Sequence, residues 1–357
     1  MNNRNVAMVI VVAIIIVAGG LTAYELNVRT PGSQKVTISE TGSTLLYPVF
    51  NAWAANYTNA TITTAGTGSG TGISSVIAGT AIIGASDAYL PPGVASANPY
   101  VMNIPIMISY QYVSYNIPNF NITLNLSADI LAGMYMGTIT NWNSSMIQAS
   151  NPGVKLPNHT IIPIHRSDGS GDTFMFTSFL SKGNSSWGET IGASTNPNWP
   201  SVTASLTGNG NAGIIGQMSK TPYSIGYIAA TYSSDVNSNH FGIAHLKNQA
   251  GYYIAPTIAN VSEAASHYLN MIPANGTIAL QYAPGNSSYP IADMEYLIVK
   301  QNQSSPNMAK ALKDFLNWTV DPNGGSNAKY LEPLNLVALP SSVVNQITTP
   351  MINKIHG

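Results

Sequence analysis

The chain has 357 residues, more than a single hydrophobic core usually serves, so two domains and a terminal appendage are expected. Only 8% of its residues are charged, and thirteen Lys and Arg nearly balance fourteen Asp and Glu. This balance gives no clustered basic face of the kind that nucleic-acid binding requires, so no nucleic-acid partner is expected. The lack of cysteine excludes a disulfide framework, thiolate zinc sites and a lipidated N-terminal cysteine.

The N-terminus carries an almost unbroken apolar run at residues 6–23, just after Arg4. Its eighteen residues lie at the lower edge of what a bilayer span needs. We predict a signal or anchor segment at 1–25, retained as a membrane anchor, with a cleaved signal peptide as the open alternative. In either case the positive-inside rule places the chain after residue 25 outside the cell, beginning with a short stalk at 26–34.

Asn-x-Ser/Thr sequons are spread over the whole body, which fits an exported and glycosylated protein, although some arise by chance in an Asn-rich chain. The sequons lie at Asn56, Asn59, Asn121, Asn125, Asn143, Asn158, Asn184, Asn260, Asn275, Asn286, Asn302 and Asn317.

Strand-like segments pass repeatedly into helical ones through turns rich in Gly, Ser and Thr. A predicted strand at 36–39 precedes a helix at 44–57, and a strand at 61–64 precedes a helix that follows residue 72. A third strand, at 161–164, precedes a helix at 173–180. Further strands are predicted at 224–228 and 294–299, and a helix at 309–318. This alternation predicts an α/β fold with mainly parallel sheets and a ligand beyond the carboxyl ends of the strands.

Two isolated charges are candidates for a binding site. Asp87 is the only charged residue within 41–128, and Arg166 is the only arginine after the stalk. Arginine suits bidentate recognition of a tetrahedral oxyanion, and exposed N–H groups at three helix starts would add donors. The plainer interpretations are a helix-cap or turn role for Asp87 and a structural salt bridge from Arg166 to Asp168 or Asp172.

Catalytic interpretations find little support. The chain has no G-x-x-x-x-G-K-[ST] loop and no G-x-S-x-G motif, and its six histidines show no helical metal spacing. We therefore expect no enzyme activity, no cofactor and no metal.

A set of motifs in a fixed order resembles one known family. The motifs are residues 41–45 followed by 47–48 and Trp53, then 66–70, 84–88, 151–157, 165–171, 225–227 and 339–344. They resemble the phosphate-binding subunits of high-affinity phosphate ABC importers, which have the type II periplasmic-binding-protein fold. The resemblance spans most of residues 35–355.

The resemblance implies a role for each site residue. It implies backbone donors at Thr44, Leu45 and Gly171, hydroxyl donors at Thr44, Ser69 and Ser170, a clamp at Arg166 oriented by Asp168, and a proton acceptor at Asp87. The chain departs from the family at Leu45, where an aromatic residue is common, and at Asp172, where relatives often carry Thr. Asp172 is therefore either a second proton acceptor for the ligand or a helix-dipole residue turned away from it.

The same resemblance implies two lobes joined by a hinge, with lobe I at 35–114 and 290–357 and lobe II at 115–289. It implies an extracellular receptor, expected to be a monomer, that binds inorganic phosphate and passes it to the permease subunits of an ABC importer. Binding of another oxyanion, such as sulfate or molybdate, and a surface phosphatase or adhesive glycoprotein on the same fold are the alternatives. The sparse charge also suggests an acidic habitat, because little self-repulsion develops when carboxylates are protonated.

Overall fold

The computed structural model describes residues 35–357. The predicted anchor at 6–23 and stalk at 26–34 lie outside the described residues. No helix within the described part of the chain is long and apolar enough to cross a membrane.

Strands and helices alternate along most of residues 35–357. The strands are β1 (Thr37–Gly42), β2 (Thr61–Thr63), β3 (Ile83–Ser86), β4 (Val101–Asn116), β5 (Asn125–Leu126), β6 (Ile162–Arg166), β7 (Leu206–Gly208), β8 (Ser224–Ala229), β9 (Gly242–Ile243), β10 (His245–Lys247), β11 (Tyr253–Ile254), β12 (Ala292–Lys300) and β13 (Val337–Ala338). The α-helices are α1 (Tyr47–Asn56), α2 (Ser69–Ala78), α3 (Pro92–Ala97), α4 (Ala128–Met136), α5 (Ser145–Ser150), α6 (Gly171–Gly183), α7 (Ser185–Thr190), α8 (Gly210–Lys220), α9 (Ser233–Ser238), α10 (Ile258–Ser266), α11 (Pro306–Val320), α12 (Ala328–Leu331), α13 (Ser341–Val343) and α14 (Thr349–Asn353).

These elements confirm the predicted α/β fold and every strand and helix named above. The main sheet has the order β2-β1-β3-β12-β4-β8-β6-β7, with β9 and β13 also paired to β4. Its flanks are parallel, as predicted, in the β2-β1-β3 and β8-β6-β7 groups. Its centre is antiparallel, because β12 runs against β3 and β4, and β4 runs against β8. The sheet is therefore mixed rather than mainly parallel.

The long strand β4 links the two flanks. It pairs with β12 from Val101 to Tyr110 and with β8 from Gln111 to Asn116, so it changes partner between two consecutive residues. All but its two terminal residues are buried. The strand contains Pro105, and a proline within a run argues against a central strand, so β4 was not predicted from the sequence.

Two groups of strand ends face each other across this centre. The carboxyl ends of β1, β2 and β3 lead to the predicted residues of the first half of the chain, and the carboxyl end of β6 leads to those of the second half. Parallel strands end at the same edge of a sheet, so the loops that follow β1 and β3 lie side by side. This arrangement brings distant parts of the sequence into one site.

Candidate anion-binding site

The first half of the site is built around the carboxylate of Asp87, which follows β3. The residue is 1% exposed. Its Oδ1 accepts a hydrogen bond from the Ser43 hydroxyl, and its Oδ2 accepts one from the Ser69 hydroxyl at 3.4 Å. The Asp87 backbone N–H donates to Ser69 Oγ at 3.2 Å. Burial, followed by the charge of Asp172, raises the pKa of Asp87 to about 7.

Arg166, the last residue of β6, provides the positive charge. Its side chain is only 1% exposed. The guanidinium binds both carboxylate oxygens of Asp168, with 2.7 Å from Nε to Oδ1, and its Nη1 donates to Asp172 Oδ2 at 2.7 Å. Burial opposes the positive charge, but hydrogen bonding to Asp168 and the charges of both carboxylates outweigh burial and raise the pKa of Arg166.

Asp168 holds the guanidinium in place. Its Oδ1 also accepts the backbone N–H of Gly210 at 3.0 Å, so the carboxylate is fixed from the start of α8 as well. Burial alone would raise the pKa of Asp168, but the hydrogen bond and charge of Arg166 outweigh it and hold this pKa below its usual value. The salt bridge that was left open from the sequence is therefore present, to both acidic neighbours of Arg166.

Asp172, in the first turn of α6, points toward Arg166 and not away from it. Besides Arg166, its Oδ2 accepts a hydrogen bond from Asn211 Nδ2 at 2.7 Å, and its Oδ1 accepts one from Gln111 Nε2 at 3.1 Å. Burial raises the pKa of Asp172, while the charge of Arg166 acts in the opposite direction. Both carboxylate oxygens are thus occupied by donors of the protein.

Glycine allows the two halves of the site to approach closely. A Cβ on Gly171 would collide with the Asp87 carboxyl group and lie 2.6 Å from Ser69 Oγ. The Gly70 backbone N–H donates to the Gly169 carbonyl at 2.9 Å, which joins the start of α2 to the loop before α6. A larger residue at position 171 would push the halves apart.

The remaining predicted residues lie within the same buried region. Thr44 Oγ1 accepts hydrogen bonds from the backbone N–H and the side-chain amide of Asn211, at 3.3 and 3.0 Å. Leu45 is fully buried, and its carbonyl accepts from the Thr231 hydroxyl at 3.0 Å. Ser170 caps α6, because its hydroxyl accepts the backbone N–H of Thr173 at 3.2 Å.

Sequence reasoning missed several residues that complete this network. They are Ser43, which binds Asp87, together with Gln111 and Asn211, which bind Asp172. Asn211 also contacts Thr44, so it joins residues from both halves. Its signal in the sequence was a further glycine-rich segment at 208–213, which runs from the end of β7 into the first turn of α8.

The site is rich in hydrogen-bond donors and holds one carboxylate, Asp87, that forms no salt bridge with any of residues 35–357. Hydroxyl groups, helix-start N–H groups and a guanidinium are the groups that bind oxyanions. Among residues 35–357, no group of three or more His, Cys, Asp or Glu side chains is arranged to hold a metal ion.

Comparison with known proteins assigns the family. A PBP superfamily domain matches residues 27–323. The chain is 31% identical over 319 residues to a phosphate-binding protein PstS of Pasteurella multocida, covering 88% of this chain and 90% of the relative. It is 32% identical over 349 residues to a phosphate-binding protein PstS of Methanocaldococcus jannaschii, covering 91% and 87%.

The fold also matches solved structures. A substrate-binding protein of a phosphate ABC transporter from Clostridium perfringens, solved with bound phosphate, superposes with a TM-score of 0.61 at 17% identity, covering 85% of this chain and all of the other. At this identity the match supports the two-lobed α/β fold alone. With the sequence relatives above, it follows that the chain belongs to the PstS family of phosphate-binding proteins within the PBP superfamily.

Proposed function

We propose that this protein captures inorganic phosphate and delivers it to the permease subunits of an ABC importer. The observation that carries the proposal is one buried carboxylate, Asp87, placed among the donors of the helix starts and near Arg166. A site for an anion has no use for such a carboxylate unless the ligand brings a proton to it. The names of the relatives support the same ligand.

Each site residue then has a role toward phosphate. Arg166 clamps two oxygens and Asp168 orients it, while Asp87 accepts a proton of the ligand. The remaining donors are the backbone N–H groups of Thr44, Leu45 and Gly171 and the hydroxyls of Thr44, Ser69 and Ser170.

An ionised Asp172 has two possible roles. It can compete with the ligand for Arg166, or it can accept a hydrogen bond from a proton of the ligand. Its contacts with Arg166, Asn211 and Gln111 favour a role inside the site. Both roles favour binding at lower pH. A protonated Asp172 neither repels the anion nor holds the guanidinium, and a phosphate ion that keeps two protons can donate the second one to an ionised Asp172.

Discrimination against sulfate follows from Asp87. Phosphate retains a proton near neutral pH and can donate it, whereas sulfate is fully ionised and would face the carboxylate with a bare oxygen. A buried polar group that one ligand leaves unpaired can make a site prefer the other ligand by a factor of roughly 10⁴–10⁵.

The wider setting is proposed from the sequence. The chain acts outside the cytoplasmic membrane as a monomer, anchored by residues 6–23 or released after cleavage, and its sequons carry glycans. The lobes are 35–114 with 290–357, and 115–289. The exchange of partners within β4 at Tyr110 and Gln111 supports a hinge close to the proposed first crossing.

Titration calorimetry of the purified protein with phosphate and with sulfate tests the function. We expect one phosphate per chain, a far weaker response to sulfate, and no turnover of a phosphate ester by the same preparation. Comparable binding of both anions near neutral pH would contradict the role of Asp87 and the phosphate assignment with it. Turnover of the ester would favour a phosphatase.

A further inference from the structure

A second buried carboxyl group lies on the central strand β12, which pairs with the strand that leads to Asp87. Glu295 is fully buried, and Asp293, two residues earlier on the same strand, is 1% exposed. Strand β12 lies between β3 and β4, and its register shifts between Glu295 and Tyr296. Acidic side chains are almost never fully buried unless they are paired, so the burial of Glu295 requires an explanation.

Glu295 is only partly satisfied by its neighbours in the described part of the chain. Its Oε1 accepts a hydrogen bond from the Ser109 hydroxyl at 2.5 Å. Its Oε2 is buried and has no donor within hydrogen-bonding distance among residues 35–357. In the antiparallel pairing of β12 with β3, Tyr296 lies opposite Ser86, so Glu295 lies at the level of Asp87, the next residue of the chain after β3.

Two neighbouring buried carboxyl groups cannot both ionise without strong repulsion, so the pair retains one proton. Burial, followed by the charges of Asp87 and Asp293, raises the pKa of Glu295 well above its usual range. The hydrogen bond between the two groups raises the pKa of Glu295 further and lowers that of Asp87. Asp87 accepts hydrogen bonds from two hydroxyl groups, which stabilise its ionised form, whereas Glu295 Oε2 has no donor among residues 35–357. The proton therefore belongs on Glu295, which acts as the donor.

Other ionisable groups face this pair from several elements. They are Asp293 and Tyr296 of β12, Arg166 of β6, Asp172 of α6, and Lys182 of α6, which acts through Asp293. Three acids surround the pair against two cations, and the nearer cation, Arg166, is already bound to Asp168 and Asp172. These surroundings favour retention of the shared proton.

Hydrogen-bond capacity points to what the proton does. An ionised carboxylate accepts about four hydrogen bonds. Ser43, Ser69 and a protonated Glu295 provide three donors to Asp87, which leaves one position for a donor on the ligand.

We propose that Glu295 is a positioning residue that retains its proton as a neutral carboxylic acid and donates a hydrogen bond to Asp87. This hydrogen bond keeps Asp87 ionised and leaves one acceptor position on Asp87 for the ligand's own proton. The inference rests on the proposed function, since it assigns how the same site selects a protonated oxyanion. When the pair loses its proton at higher pH, two adjacent negative charges face the anion and binding weakens.

Two substitutions separate this role from a merely structural one. Glu295→Gln keeps a donor to Asp87 but cannot ionise, and Glu295→Leu removes the donor. Glu189→Gln, at an exposed position of α7, is the matched control. Phosphate and sulfate affinities are measured by calorimetry from about pH 5 to about pH 9, in two buffers of different ionisation enthalpy so that protons exchanged on binding are counted.

We expect the unmodified protein and Glu189→Gln to lose phosphate affinity more steeply with rising pH than Glu295→Gln does. Above the pH at which the Asp87–Glu295 pair loses its proton, the additional loss should reach up to about tenfold for each pH unit. Glu295→Gln should keep the preference for phosphate over sulfate, and Glu295→Leu should reduce it at least about tenfold. Parallel pH profiles and equal anion preferences in all four proteins would overturn the inference.

Infrared spectroscopy of the ligand-free proteins tests the protonation of Glu295 independently of phosphate binding, so it separates this inference from the proposed function. The carbonyl band of a protonated buried carboxyl group should be weaker in Glu295→Gln than in the unmodified protein near pH 7. Intact phosphate binding without this difference would overturn only the role of Glu295. The difference without phosphate binding would overturn the proposed function and the positioning role together.

Discussion

We predict that replacing Glu40 by Gln makes the protein much less sensitive to rising pH. Glu40 lies in β1, is not one of the proposed ligand contacts, and is 4% exposed. The Thr64 hydroxyl donates to its Oε2. None of the salt bridges found among residues 35–357 includes Glu40. Burial, although opposed by hydrogen bonds from Thr64 and Ala65, raises the pKa of Glu40 to about 8.

The expected magnitude follows from this pKa. In the unfolded chain Glu40 titrates near its ordinary value of 4.5, and in the folded protein at about 8. Between these values the folded state holds a proton that the unfolded state has released, so stability falls as pH rises. At ~1.36 kcal/mol for each pH unit, the full difference is about 5 kcal/mol. The stabilising effect is complete below pH 4.5 and is lost as pH rises through 8.

The assay is urea unfolding of the unmodified protein, Glu40→Gln and the exposed control Glu189→Gln, from about pH 4 to about pH 8. Gln keeps the shape of the side chain and accepts the Thr64 hydrogen bond without titrating. We expect the unmodified protein and the control to lose up to about 5 kcal/mol more than Glu40→Gln over this range. The other buried acids titrate equally in all three proteins and cancel in the comparison. Parallel stability profiles for Glu40→Gln and the control would refute the reasoning.

Three further predictions concern the ligand. Arg166→Ala should weaken phosphate binding by about 2–5 kcal/mol, because it removes the charge-assisted clamp. The exposed control Lys220→Ala should leave phosphate affinity unchanged, and near-native affinity in a folded Arg166→Ala protein would remove Arg166 from the site. Asp87→Asn should lower phosphate affinity and raise relative sulfate affinity, since an amide can donate to sulfate; an unchanged ratio in competition calorimetry would contradict this. Asp172→Thr should flatten the loss of phosphate affinity with rising pH, because burial raises the pKa of Asp172 and its ionisation adds negative charge beside the ligand. A pH profile as steep as that of the unmodified protein would show that Asp172 does not titrate in this range.

The sequence predicted the elements that follow a local pattern and the site residues that stand out by charge. The strands β1, β2 and β6 and the helices after them were recognisable from apolar spacing and turn residues. Asp87 and Arg166 were recognisable because so few charges compete with them. Scarcity of charge was thus a usable signal for function.

The parts that the sequence did not reveal depend on contacts between distant residues. Strand β12 returns antiparallel between β3 and β4, and no local pattern fixes that pairing. Asn211 meets Thr44 across 167 positions of the chain, and an Asn is inconspicuous among so many. Glu295 lay in a recognised strand, yet only the fold places it at the level of Asp87.

The charges of the site explain why protons decide its selectivity. Arg166 is bound on both sides by Asp168 and Asp172, so the buried cluster has no surplus positive charge with which to attract an anion. Besides the hydrogen bonds of the Arg166 clamp, binding must then rest on neutral N–H and hydroxyl donors, and on hydrogen bonds that a protonated ligand donates to Asp87. Such a site selects by the number of protons on the ligand more than by its charge. A chain with 8% charged residues can therefore hold an anion tightly, provided that its few buried acids keep the right protons.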